Sequence, residues 1–215
     1  MTQRIKIYAE VFAVFALVAL FTKVRLTGAF VIAPYVAVIA VIACLRIFYL
    51  KERNPLNLSL ARFGRQLAVA SALFFITSMA FTVLPVFYLG FSPVYLLQYR
   101  VRSVGRFVFL FIQLFLFSGV GEEIIFRGYI MERLLALPNK NRAETGVTAA
   151  VISAGLFSLA HFRPGGDRSQ LVVAFITGLL YGAARLKIKG CGALTTGMAH
   201  GAHDSLLLVL GNVML

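Results

Sequence analysis

Apolar residues in this chain come in long runs, separated by short groups rich in Arg, Lys, Pro and Gly, with none of the two-residue alternation that a membrane barrel requires. The first run, Ile7 to Thr22, follows Arg4 and Lys6 in the manner of a signal peptide. Glu10 interrupts it, however, no small-residue cleavage site precedes Lys23 and Arg25, and further spans follow, so it reads as an uncleaved first helix with Glu10 near the interface. Ala29 to Leu50 is the second span, and Arg46 near its end is expected to snorkel toward headgroups. Lys51-Glu52-Arg53-Asn54-Pro55 breaks it, and Leu56 to Arg65 suits either a short surface helix or a polar loop. Leu67 to Tyr99 runs 33 residues without a charge. One tilted span is the simplest reading, with Pro85, Gly90 and Pro93 punctuating a kinked extension or interfacial segment; two short spans are the alternative. Phe107 to about Leu137 is the fourth span, stopped by Pro138-Asn139 and followed by a polar loop to Glu144. Thr145 to Ala160 is the fifth, ending in a turn over Phe162 to Asp167. Ser169 to Ala184 is the sixth, and a last helix runs from Gly192 to Leu215.

Composition turns this pattern into a fold class. The 215 residues are 60% hydrophobic and only 13% charged, against about 25% charged in soluble domains. Backbone groups inside a bilayer must satisfy one another, so the expected fold is all-α: a multi-pass transmembrane helical bundle of about seven spans, within a range of roughly six to eight. No stretch is long enough for a separate soluble domain, so residues 1–215 read as one membrane domain without internal repeats. The excess of 21 Lys and Arg over 8 Asp and Glu lies singly or in small groups between the apolar runs. This suits topology signals and contacts with a lipid bilayer; no nucleic acid is expected as a partner. Most of these cations fall on the side of the N-terminus, which predicts a cell-membrane protein with a cytoplasmic N-terminus. Cys44 and Cys191 have no metal-ligand spacing and read as a buried thiol and a loop thiol.

The charges inside the apolar runs carry the chemistry, all of it within residues 107–204. Gly119-Val120-Gly121-Glu122-Glu123-Ile124-Ile125-Phe126-Arg127-Gly128 follows an uncharged run. On a helix Glu123 shares a face with Arg127 and can pair with it, while Glu122 points about a quarter turn away with no local partner. An ionisable group within a membrane segment costs about 2.5–3.5 kcal/mol on insertion scales, so it normally faces a partner or a wet cavity. Gly119, Gly121 and Gly128 would let neighbouring helices come close. The three histidines, His161, His200 and His203, all lie downstream. Phe157-x-x-x-His161 and His200-x-x-x-Asp204 each place two side chains on one face, so three helices can converge two imidazoles and two carboxylates. His203 lies about 100° from the face of Asp204 and reads as a neighbour or a polar packing residue. Two other readings stay open: a structural polar network fixing helix register, and a transporter's proton relay, against which the missing repeat symmetry counts.

Glu122-Glu123-x-x-x-Arg127, Phe157-x-x-x-His161 and His200-x-x-x-Asp204, in this order on successive apolar helices, resemble the three motifs of the CPBP family, which holds the CAAX prenyl endopeptidases and bacteriocin-processing proteases, also called Abi proteins. The resemblance covers about half of the chain. It implies an intramembrane glutamic endopeptidase in which Glu122 with His161 activates a water, and His200 with the residue at Asp204 stabilises the oxyanion. Pairing of Glu123 with Arg127 as a structural ion pair leaves Glu122, in a poorly solvated setting, as the better general base. The family more often has Asn where this chain has Asp204, which would then either be protonated or stay ionised and orient His200. No cofactor is expected. Family members were once regarded as metalloenzymes, and the set also suits zinc if His161, His200 and Glu122 or Asp204 come within about 2.0–2.2 Å of one ion; no H-E-x-x-H is present. A non-catalytic scaffold or immunity protein of the same family is the alternative. The implied partner is a membrane-associated peptide or protein: a prenylated tail, a bacteriocin leader, a pheromone precursor or a sorting signal. Simple spans leave one conflict. Glu122 would lie about 22 Å along a fourth helix begun at Phe107, whereas His161 would lie near the side where that helix begins. Either the fourth helix starts outside the core or the fifth continues past His161.

Overall fold

The computed structural model describes residues 2–23, 32–56, 58–90, 93–138, 141–162 and 168–214. Among them no strand occurs, and seven long helices follow in chain order: α1 (Gln3–Lys23), α2 (Ala33–Tyr49), α3 (Phe63–Tyr88), α4 (Val104–Leu135), α5 (Arg142–Ala160), α6 (Ser169–Lys187) and α7 (Ala193–Val213). The start of the second predicted span, most of the predicted turn after Phe162, and Asn139 and Lys140 of the polar loop lie outside the described residues. Helices α3, α4, α5 and α6 are each long and apolar enough to cross a membrane, and α2 is a shorter apolar helix. Phe12, Phe75 and Leu159 are exposed while Gln66, Thr77, Glu123, Arg127 and His200 are buried. Apolar groups outside and polar groups inside are the arrangement of a helical membrane protein.

Local chemistry sets the helix ends. Pro34 stands in the first turn of α2, where its missing N–H costs nothing. Ser103 caps α4 by accepting from the Arg106 amide at 3.3 Å, and Asn141 caps α5 by accepting from the amides of Ala143 and Glu144, both at 3.2 Å. The uncharged third run forms one helix, not two spans. Its wide π-type turns from Met79 to Tyr88 accommodate Pro85, and a separate 3₁₀ turn, Pro93–Tyr99, follows. That turn docks on the end of α7, where Asn212 accepts from the Val101 amide at 2.9 Å and donates to the Tyr99 carbonyl at 3.0 Å.

One of two open readings is decided and one expectation is corrected. Described residues 58–62 form no helix, because Arg62 adopts a left-handed conformation (φ 57°) that breaks the chain just ahead of Phe63. Arg46 does not snorkel: it is 2% exposed, pairs with Glu132 at 2.8 Å and Glu52 at 2.9 Å, and donates to the Gly128 carbonyl. Acceptors inside the bundle hold it more closely than headgroups could. Arg185 also pairs with Glu132, and Arg133 pairs with Glu10 at 2.8 Å. These contacts gather the early part of α1 and the ends of α2, α4 and α6 at one end of the bundle.

The largest apolar core joins Ile7, Val11, Val14 and Val18 of α1, at alternating spacings of four and three, to Val38 and Ile42 of α2, Phe126 and Tyr129 of α4 and Phe157 of α5. Helices α4 and α7 instead meet backbone to backbone. A Cβ added at Gly119 would sit 2.3 Å from the Gly201 Cα, one at Gly197 would sit 2.8 Å from the Val120 Cα, and one at Gly201 would sit 2.5 Å from the Phe115 oxygen. Only glycine permits that approach. Of the three glycines around the acidic pair, Gly119 makes this crossing, whereas Gly121 and Gly128 have room for a Cβ at 3.5 and 3.4 Å.

Candidate active site

Four helices deliver the site. The long α4 carries Glu122 and Glu123 near its midpoint, at a short α-helical step between two π-type stretches, Gln113–Gly121 and Ile124–Met131. Helix α5 runs antiparallel to its second half: Ser153 donates to the Phe126 carbonyl at 2.9 Å, the Phe157 ring meets the Phe126 ring edge-on at 5.1 Å, and His161, which caps the C-terminus, reaches Glu122. This removes the conflict over depth. The fourth helix spans 32 residues, more than the ~20 a hydrocarbon core needs, so Glu122 is not at its far end. Side chains lean toward their own helix N-terminus, so on antiparallel helices Glu122 and His161 lean toward each other. The fifth helix does not continue past His161.

Glu122 and Glu123, adjacent in sequence, have opposite surroundings. Glu123 is fully buried, and its Oε1 accepts from Arg127 Nη1 at 2.7 Å on the same helix face. The guanidinium also lies 4.4 Å from the centroid of the Phe157 ring. It fits only because α6 has Gly178 beside it, where a Cβ would come within 2.9 Å of Arg127 Nη2. Among the described residues no Arg or Lys pairs with Glu122. Its Oε1 accepts from the Tyr35 hydroxyl at 3.0 Å, while Oε2 is buried without a hydrogen bond and faces His161 Nε2 at 3.8 Å.

The two histidines divide the site. His161 Nδ1 lies 2.9 Å from the Phe157 carbonyl. A carbonyl can only accept, so the proton sits on Nδ1, and Nε2 presents a lone pair toward Glu122. His200, on α7, lies between two carboxylates: Nδ1 is 3.5 Å from Glu123 Oε1 and Nε2 is 3.7 Å from Asp204 Oδ2. The rings of Phe157 and Tyr181 pack around it at 5.7 and 6.1 Å. Asp204 Oδ2 accepts from Ser118 Oγ at 2.9 Å. Glu122, His161, Glu123, Arg127, His200 and Asp204 are thus brought into one cluster. His203 is turned away to α3, where its Nδ1 lies 3.1 Å from Ser78 Oγ.

Sequence reasoning missed Tyr35 and Ser118. Ser118 stands four residues before Glu122 and shares its face, a usable signal; Tyr35, in an otherwise unremarkable span, gives none. As for a metal, no three His, Cys, Asp or Glu among the described residues converge to hold an ion. His161 is directed at Glu122 and His200 at Glu123 and Asp204, so the donors are split between two neighbours and do not fit a zinc set.

Chemically the arrangement offers an unpaired carboxylate oxygen and an imidazole lone pair 3.8 Å apart. Two acceptors tolerate this proximity when a donor serves both, and a water, with two O–H groups, does so. Residues 104–206 match the family model described as type II CAAX prenyl endopeptidase Rce1-like. This agrees with the CPBP resemblance, and at the level of the family it supports a CAAX-type protease of the membrane. No curated protein and no solved structure is significantly similar to the chain.

Proposed function

Starting from the match of residues 104–206 to the Rce1-like family, we propose that this membrane protein is an intramembrane endopeptidase in which Glu122 and His161 activate a water, without a cofactor, against a peptide bond of a membrane-associated substrate. The observation that carries this reading is the free, buried Oε2 of Glu122 opposite His161 Nε2. The water donates one O–H to each, which directs its lone pair outward at the scissile carbonyl. As the oxygen adds to the carbonyl carbon, one water proton passes to Glu122 Oε2 and the C=O electrons move onto oxygen. His200 lies across the cluster, and its Nε2 stands 3.7 Å from Asp204, beyond hydrogen-bond length, so an N–H there is available to the oxyanion. When the oxyanion collapses, the C–N bond breaks and Glu122 returns the proton to the leaving nitrogen, leaving an amine and a carboxylic acid, which gives its remaining proton to solvent. The charge bias along the chain supports a cell-membrane location with the N-terminus in the cytoplasm.

The family name suggests the substrate class for the test: a peptide ending in a prenylated Cys-a-a-X sequence. With protein in liposomes and a fluorogenic farnesylated peptide of this kind, Glu122→Gln and His161→Ala are expected to lower kcat by roughly 10²–10⁴ while folded yield is kept. Wild-type turnover by either folded variant would refute the assignment.

A further inference from the structure

The matched segment begins well after α2, yet α2 supplies the one hydrogen bond found for Glu122 among the described residues. Tyr35 stands in the first turn of α2, directly after Pro34, and its hydroxyl donates to Glu122 Oε1 at 3.0 Å. Its ring lies against α4 where Gly121 carries no side chain: a Cβ there would meet the Tyr35 ring at 3.7 Å and the Ile39 side chain at 3.5 Å. The same hydroxyl lies beside Ser118, which holds Asp204. Two hydroxyls from two helices thus each hold one of the two site acids that pair with no Arg or Lys among the described residues.

A glutamate carboxylate, free to turn about three side-chain bonds, presents either oxygen to its surroundings, and a general base needs one of them fixed at the water. We infer that Tyr35 is a positioning residue for Glu122, pinning Oε1 so that Oε2 stays free and aimed at the water beside His161, and hence that the helices ahead of the matched segment complete the site as well as anchoring it. The inference rests on the proposed role of Glu122 as base. It involves no proton transfer through Tyr35: the phenol keeps its proton and donates a hydrogen bond throughout.

The test is Tyr35→Phe in the full chain, reconstituted in liposomes and assayed with the farnesylated Cys-a-a-X peptide beside Glu122→Gln. Removing a hydrogen bond that orients a reacting group is expected to lower kcat roughly 10- to 100-fold. KM should stay within about twofold and the melting temperature in detergent should not move, a split that a packing role would not produce. A kcat within about twofold of wild type, or a fall in kcat that tracks a fall in melting temperature, overturns the inference. If Glu122→Gln is inactive while Tyr35→Phe is fully active, the inference alone fails; if Glu122→Gln is active, the base assignment fails first. A second readout needs no turnover. In infrared spectra of protein labelled with ¹³C-glutamate, the carboxyl bands lost in Glu122→Gln belong to Glu122, and in Tyr35→Phe they should shift. Unshifted bands overturn the inference even if the peptide proves a poor substrate.

Discussion

Two buried polar clusters lie on α4, a little over two turns apart, and they treat their acids in opposite ways. At the end of the bundle Glu132 has Arg46 on one oxygen and Arg185 on the other, and Arg133 closes on Glu10. In the middle, Glu123 has Arg127 while Glu122 has a phenol, and each keeps one oxygen without a hydrogen bond among the described residues. An acid that holds buried arginines from two other helices fixes which helices pack where. A buried acid left short of partners is costly, and that cost persists in a native protein where the vacant valence serves a ligand or a reaction. On the proposed function, the contrast separates a structural cluster from one that carries chemistry, within one helix and one set of residue types.

The largest effect that can break this contrast comes from Arg127, the structural member of the middle cluster. Arg127→Ala leaves the fully buried Glu123 without its cation, which for buried pairs costs about 3–5 kcal/mol. The expected result is a sharp loss of folded yield and of melting temperature in detergent, partly recovered by adding Glu123→Gln, which removes the stranded charge. A variant as abundant and heat-stable as wild type but inactive would make Arg127 a group that acts on substrate.

A smaller effect is expected from Glu132→Gln. Glu132 is itself partly exposed, but it serves two arginines whose side chains are 3% and 9% exposed. Gln can still accept one hydrogen bond, so the loss is that of charge-assisted bonding, about 1–3 kcal/mol. The expected outcome is a lower melting temperature with kcat on the farnesylated peptide unchanged within about twofold. Lost turnover at wild-type stability would erase the distinction between the clusters.

What the sequence made legible follows from range. The helices are legible because a bilayer demands about 20 apolar residues in a row, and the Glu123–Arg127 pair because its partners are four apart on one helix. The contacts that could not be read all cross between helices. Arg46 looks like a snorkelling cation until α4 brings Glu132 to it, and Tyr35 looks like any span tyrosine until α2 lies on Gly121. The close approach of α4 and α7 rests on Gly119 meeting Gly201, which neither motif announces alone, and the depth of His161 depends on the length of α4 beyond its first charged residue.

The smallest effect concerns Asp204, and it tests how the oxyanion side of the middle cluster works. Ser118 Oγ donates to Asp204 Oδ2 at 2.9 Å, and an ionised carboxylate accepts that bond well. His200 Nε2 is 3.7 Å from the same oxygen, close enough for the carboxylate to orient the ring, yet too far to occupy its N–H. In the proposed mechanism the imidazole donates to the oxyanion, and Asp204 contributes only by its charge and its place. Asp204→Asn keeps an oxygen for Ser118 and gains an amide donor of its own, so it should cost only about tenfold in kcat. Asp204→Ala loses both the acceptor for Ser118 and the partner for His200 and should be clearly worse. If Asp204→Asn were folded yet as inactive as Glu122→Gln, the site would need a carboxylate where an amide of the same shape cannot serve, and a metal ligand would become the better account of Asp204.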